Sequence, residues 1–262
     1  MSSRPEPDEA AGSAHGTQAP GTRAHRRWLF DVGADIYALL TWQEPWRAHC
    51  RSMVDHFPGG TARILDLGIG PGVSGIAVLE RLPRAQVVGL DFSSRMLRQA
   101  QRYTRRGPAP LALVQADATH LPFPDGSFDV VMAHSFLYLL TDACSAVAEA
   151  RRVLRPGGRA VFLEPAGGGS ASWVLKSLSV RFAISMALWR AASRHAGRFS
   201  EATLRELLEP HLVDVATLPT LGGLGLIGLG ARAEARRHPS PPTVAAAGCL
   251  NQAPIGHGES GE

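Results

Sequence analysis

An aspartate followed by three alternating glycines, Asp66-Leu67-Gly68-Ile69-Gly70-Pro71-Gly72, is the stretch of this 262-residue chain in which residue type and spacing speak most directly of chemistry. Glycines allow backbone angles closed to other residues and let the main chain approach a ligand with no Cβ in the way. A turn that opens a helix also presents free N–H groups to whatever sits above it. Gly70-Pro71-Gly72-Val73-Ser74-Gly75 matches the dinucleotide fingerprint G-x-G-x-x-G, and Asp91 follows at about 20 residues, the spacing of its ribose acceptor. Asp66 pulls the reading another way. A carboxylate there can accept a hydrogen bond from a bound amino group, whereas a pyrophosphate gains nothing from it. The plainer alternative is that Asp66 bonds the amides of its own turn.

These residues need a strand, a turn and a helix to hold them. Ile64, Leu65 and Leu67 read as the end of a buried strand, and VSGIAVLERL has apolar residues at helical spacing. AQVVGLD is a second strand ending at Asp91, and Ser93 caps a helix with Met96, Leu97, Ala100 and Tyr103 on one face. LALVQAD is a third strand ending at Asp117, FDVVMAH a fourth, and RAVFLEP a fifth, reached through the turn Pro156-Gly157-Gly158. Thr141 or Asp142 caps the intervening helix, which runs to Leu154. Strands alternating with helices imply a parallel sheet built from right-handed crossovers. Upstream, WLFDVGADIYALL and EPWRAHCRSMVDHF read as two helices, the second with Pro45 in its first turn. Downstream, FSEATLRELLEP reads as a short helix capped by Ser200, and LVDVATLP and LGLIGLGARA as closing antiparallel strands.

The expected organisation is a disordered tail over 1–26, one domain over 27–235, and a second disordered tail over 236–262. Within the domain, 27–60 forms a helical lid, 61–165 the core, 166–199 a helical insertion, and 200–235 the closing helix and hairpin. Net charge is +4, nearly all of the cationic excess being arginine, and no basic run with interleaved aromatics marks a nucleic-acid binder. Cys50, Cys144 and Cys249 are widely spaced and the ten histidines form no metal-ligand pattern, so neither a disulfide framework nor a metal site is expected. The first 21 residues have no apolar core of the kind a signal peptide needs, and no stretch reaches the ~18 uncharged apolar residues of a membrane span. A cytoplasmic protein is expected, with its oligomeric state open.

Taken together, ILDLGIGPG, VVGLDFSSRML, QADATHLPFPDGSFDVV and RRVLRPGGRAVFLEP resemble the class I S-adenosylmethionine-dependent methyltransferases, in particular the branch of ubiquinone/menaquinone-biosynthesis and related small-molecule enzymes. The resemblance covers roughly residues 64–165, and the closing hairpin more loosely. It implies an α/β fold: a Rossmann-like, mostly parallel seven-stranded sheet with helices on both faces, a closing antiparallel hairpin and an N-terminal helical lid. It implies S-adenosyl-L-methionine as cofactor. Asp66 with Gly68, Gly70 and Gly72 would hold the methionine end, and Asp91 would take both ribose hydroxyls. Phe92 and Met96 would flank the adenine, Asp117 would accept from its amino group with the Ala118 amide nearby, and Tyr37 would contribute an aromatic from the lid. Phe92 and Met96 read equally as core residues, and Asp117 as a cap of its own loop.

Methyl transfer from a sulfonium is an in-line displacement, in which the protein positions, orients and excludes water. Where the nucleophile carries a proton, a general base helps, and His134 at the end of the fourth strand is the best single candidate for base or substrate contact, the plainer reading being that it packs against the cofactor or bonds a loop carbonyl. Tyr37, Tyr138, Glu164 and His195 are weaker candidates. AHSFLY lacks the N/D-P-P-Y signature of enzymes that methylate amide or adenine nitrogen. In the insertion, Leu175, Leu178, Phe182, Met186 and Trp189 make one apolar stripe, with Val180 and Ile184 on the other side. With Lys176, Arg181, Arg190 and Arg194 this points to an apolar acceptor: a quinone precursor, lipid or secondary metabolite. It also makes 173–194 a candidate for peripheral membrane contact, the plainer reading being a packed lid with solvated arginines. Two other functions fit parts of the chain: a nicotinamide-dependent oxidoreductase, from the glycine spacing and Asp91, and a non-catalytic cofactor-binding regulatory domain.

Overall fold

Near-continuous apolar runs bounded by turn residues become the inner strands of one twisted sheet in the computed structural model, which describes residues 38–105, 111–169 and 180–234. The expected tails, Tyr37, Leu175, Lys176 and Leu178 lie outside the described residues, as does the side chain of His195. Helix α1 (Glu44–Ser52), with Pro45 in its first turn, runs into a 3-10 turn, Met53–His56, and leads to β1 (Arg63–Leu67). There follow α2 (Val73–Arg81), β2 (Gln86–Asp91), α3 (Ser94–Thr104), β3 (Ala112–Gln115) and β4 (Phe128–His134). Next come a 3-10 turn (Leu137–Leu139), α4 (Ala143–Val153), β5 (Leu154–Pro165), α5 (Val180–Ala196), α6 (Glu201–Leu208), β6 (Val213–Thr220) and β7 (Gly225–Ala231).

The strand order is β3-β2-β1-β4-β5-β7-β6. The first five strands pair in parallel, and β7 runs antiparallel to both β5 and β6. The expected Rossmann-like sheet of seven strands with an antiparallel closure is therefore what forms. Strand β1 is interior, Asp66 pairing with Gly89 on one side and Met132 on the other. Because side chains alternate across a strand, Leu65 and Leu67 join the core beneath α4 and α6, while Ile64 and Asp66 face the α1–α2 side. Ser93 caps α3 by accepting from the Met96 amide, and Asp142 caps α4 by accepting from the Ser145 amide.

Two boundaries differ from the sequence reading. Strand β3 stops at Gln115, before Asp117, because the Asp117 carboxylate accepts from Thr119 N and Oγ1 (2.9 and 2.8 Å) and turns the chain there. Pro156-Gly157-Gly158 lies inside β5 and not ahead of it. Phe128 pairs with Leu154 but Val130 with Arg159, so the extra residues are accommodated as an irregularity on the β5 side. Gly157, at φ +73°, is tied down by its N–H to the Arg232 carbonyl at 2.9 Å.

Candidate functional site

All three glycines after Asp66 are left-handed, at φ +63° (Gly68), +54° (Gly70) and +92° (Gly72). At Gly68 the requirement is doubled, since a Cβ would sit 2.0 Å from Phe136 Cδ2. The turn is latched to the next strand. The Gly70 N–H donates to Asp91 Oδ2 at 2.9 Å and the Ser93 N–H to Asp91 Oδ1 at 2.8 Å, so two main-chain donors orient that carboxylate. Phe92, beside it, is half exposed.

Asp66 is fully buried. Its Oδ2 accepts from Ser74 Oγ at 2.6 Å, while Oδ1 has no partner among the described residues. Burial pushes its carboxyl up to about 7 against the pull of the Ser74 bond, and the neighbouring charge of Asp91 adds to the rise. Burial, with the Asp66 charge beside it, likewise pushes the Cys50 thiol above its ordinary value.

Above the turn lies a cavity of about 470 Å³ whose walls include Gly68, Gly70, Met96, His134, Trp46 and Trp189. His134 is reached from the end of β4, where Ser135 adopts a left-handed φ of +57° and donates its N–H to the Leu163 carbonyl at 2.6 Å. Its Nε2 is shut off from solvent and unpartnered among the described residues. Desolvation holds the imidazole down to about 4, outweighing the bond to its own main chain. The ring is therefore neutral near pH 7 and able to accept.

Sequence reasoning missed the aromatic wall around His134. Trp46 and His49, on α1, each stand edge to face with His134, ring centroids 5.6 Å away. The Trp46 indole donates to Ser185 Oγ at 2.7 Å and the Trp189 indole to Ser135 Oγ at 3.0 Å, so α5 is pinned over the cavity by two buried bonds. His49 Nε2 lies 3.0 Å from Thr220 Oγ1, and burial followed by the nearby His134 pushes it down to about 3. A tryptophan on an apolar face still needs a partner for its N–H, and that is the one sequence signal these residues carried.

The expected residues divide into groups. Gly68, Gly70, Met96 and His134 border the cavity, and Asp66 lies beneath its floor through Ser74. Gly72 sets the start of α2. Asp91, Phe92, Asp117 and Ala118 lie beyond the cavity at the carboxyl ends of β2 and β3, Ala118 buried and Asp117 exposed. Of the weaker candidates, Tyr138 borders the cavity. Glu164 has a structural task, accepting the Phe136, Leu137 and Tyr138 amides at 3.1, 2.8 and 3.3 Å. Burial still pushes it up to about 7. Among the described residues, no cluster of histidine, cysteine and carboxylate could hold a metal, and no helix is long and apolar enough to cross a membrane.

Residues 64–158, which include the glycine turn, Asp91 and His134, match the family described as a methyltransferase domain. Over that span the chain is similar to methyltransferase domains. It is 44% identical over 102 residues to a demethylmenaquinone methyltransferase of Thermus thermophilus, covering 39% of this chain and 46% of that protein. It is 41% identical over 95 residues to a malonyl-[acyl-carrier protein] O-methyltransferase of Xylella fastidiosa, covering 36% and 32%. The chain thus spans about half the length, or less, of these curated relatives. Among solved structures, phosphoethanolamine N-methyltransferase 2 of Haemonchus contortus, bound to phosphomonomethylethanolamine and S-adenosylhomocysteine, superposes with a TM-score of 0.60 at 17% identity, over 80% of this chain and 59% of that one. The [4+2]-cyclase SpnF superposes with a TM-score of 0.53 at 18% identity, over 80% and 95%. Such likenesses establish the fold, which alone does not choose between chemistries.

Proposed function

We propose that the chain is an S-adenosylmethionine-dependent methyltransferase acting on a small, largely apolar acceptor: a quinone precursor, a lipid or a secondary metabolite. The observation that carries this reading is Asp66 Oδ1, a buried carboxylate oxygen with no donor among the described residues, beneath the glycine turn of the span that matches methyltransferase domains. Such an oxygen is costly until a donor meets it, and an amino-acid ammonium above the turn is a donor of the right charge. Asp66 and the turn at Gly68, Gly70 and Gly72 would hold the methionine end. Asp91, oriented by two amides, would accept the ribose hydroxyls. Phe92 and Met96 would flank the adenine, with Asp117 and the Ala118 amide at its edge.

When bound, the cofactor supplies a methyl group activated by a sulfonium. The chain's own part is to align the acceptor, keep water out and receive a proton. The apolar walls serve the first two tasks, since only a few polar side chains border the cavity. Neutral His134, whose Nε2 has no partner among the described residues, serves the third for an acceptor that carries a proton. The curated relatives have acceptors as different as a quinone precursor and a carrier-bound acyl group, which is why the class of acceptor is stated broadly.

Calorimetric titration of the purified protein with S-adenosylhomocysteine, with NADH and an Asp91→Ala variant in parallel, tests the cofactor. Saturable binding lost in the variant and absent for NADH is expected; binding of NADH alone would make the protein an oxidoreductase. Acceptor-dependent formation of S-adenosylhomocysteine then separates an enzyme from a cofactor-binding regulator.

A further inference from the structure

Over residues 180–191, helix α5 has an outer face with no neutral polar side chain among the described residues. Its inner stripe, Phe182, Ser185, Met186, Trp189 and Ser193, is buried against the domain. On the opposite side Val180 is 75%, Ile184 50% and Leu188 51% exposed, and Ala187 and Ala191 are exposed between them. At 3.6 residues per turn these five positions fall on one continuous stripe about three turns long. Arg181 and Arg194 project to its two flanks. A helix apolar on both sides does not rest in water without something to cover it.

The charge around the stripe is of one sign. Residues 180–198 contain four arginines and no aspartate or glutamate. Arg181 donates to the Leu39 and Trp42 carbonyls, Arg190 to the Ala166 and Gly168 carbonyls, and Arg198 to Ser193 Oγ and the Arg190 carbonyl. Among the described residues none of these arginines, nor Arg194, forms an ion pair with a carboxylate. Burial, then the charges of Arg190 and Arg194, lower the Arg198 pKa from its ordinary value, so the cations at this end of α5 repel one another.

We infer that this face seats the protein on an anionic lipid bilayer, the stripe from Val180 to Ala191 entering the interface and Arg181 and Arg194 meeting phosphate headgroups on either side. Interfacial helices combine an apolar stripe with flanking cations in this manner. Charge argues against a second copy on the same face, since two such surfaces would bring like charges together with no carboxylate between. The cavity supplies an independent reason for a lipid surface. Leu188 and Ala192 are exposed on α5 and also line the cavity, as does Leu40 opposite, so the cavity's margin is continuous with the docking stripe. An apolar acceptor dissolved in the bilayer would then reach the cavity without crossing water, a step that rests on the proposed methyl transfer, whereas the docking itself does not.

Flotation of the full chain with phosphatidylcholine vesicles, with and without phosphatidylglycerol, tests the inference. Binding is expected only with the anionic lipid and is expected to weaken as salt is raised. A Val180→Ser/Ile184→Ser double variant, neither position lining the cavity, is expected to lower the partition coefficient about tenfold or more, and Arg194→Glu to lower it further. Circular dichroism and binding of S-adenosylhomocysteine in solution are expected to be unchanged in these variants. That separates failure of docking from failure of the cofactor reading. Equal flotation of wild type and double variant, or none of the wild type with either vesicle, would overturn the inference. So would a concentration-dependent dimer in light scattering that the double variant abolishes, which would assign the stripe to a second copy.

Discussion

The floor and the roof of the cavity are built on opposite plans. The floor, at the carboxyl end of β1, is organised by main chain: a turn of three left-handed glycines, latched to Asp91 just beyond the cavity, whose carboxylate accepts the Gly70 and Ser93 amides. The roof, from α1 and α5, is aromatic and organised by side chains, with Trp46 on Ser185 and Trp189 on Ser135. A floor fixed by backbone geometry suits one constant ligand, whereas a roof fixed by interchangeable side chains can be re-cut for different acceptors. Cofactor binding and acceptor choice should therefore respond to separate substitutions.

The sharpest way to break that separation is at His134. His134→Ala is expected to lower turnover by about 10²–10⁴-fold on an acceptor that loses a proton, with affinity for S-adenosylhomocysteine unchanged. A change below threefold would reduce His134 to packing. Asp91→Ala should show the mirror image, weakening S-adenosylhomocysteine by about a hundredfold, the scale of two charge-assisted bonds, as read by calorimetry. Gly68→Ala should damage floor and fold together. Its Cβ meets Phe136 in a left-handed backbone, for an expected loss of about 2–4 kcal/mol in denaturant unfolding. Trp189→Phe leaves the buried Ser135 hydroxyl without its indole partner, costing about 1–3 kcal/mol, and should raise the KM for acceptor while sparing cofactor affinity.

The smallest effect is a pH dependence confined to the floor. With Asp66 raised to about 7 in the free protein, a cationic amino acid must ionise it on binding. Affinity for S-adenosylhomocysteine should fall up to about tenfold per pH unit below 7, with proton release visible in buffers of different ionisation enthalpy, and Asp66→Asn should flatten the profile. For stability, the buried carboxyls and the buried imidazoles act with opposite sign. Asp66 and Glu164, both raised to about 7, favour folding at low pH and lose that contribution as pH rises toward and through 7. His49 and His134, lowered to about 3 and 4, contribute fully above their unfolded value of about 6.5 and lose it as pH falls toward 3.

The same division explains what could be read from the chain. The floor was legible because alternating apolar strands and amphipathic helices, capped by Ser93 and Asp142, leave few topologies, and because glycines at strained angles have no substitute. The ends of elements were less legible. Strand β3 stops early because Asp117 bonds locally, and Pro156-Gly157-Gly158 sits within β5 because Arg232, far along the chain, accepts the Gly157 amide. The roof was hardly legible. Trp46 meets Ser185 and Trp189 meets Ser135 only after the sheet has brought α1, α5 and the end of β4 together. His49 gave no local signal, and its bond to Thr220 spans 171 positions.

The position of β7 has a consequence for synthesis. It lies between β5 and β6, with Gly228 and Gly230 close against Leu204, Leu208 and Leu212, yet it is the last of the seven strands to leave the ribosome. Until it emerges, the hydrogen-bonding edge of β5 stands open and β6 has no neighbour. The nascent chain must hold a nearly complete parallel sheet with one sticky margin, a state prone to pairing with other chains. Slow or interrupted translation just before Gly225 should therefore lead to aggregates rather than to a stable fragment.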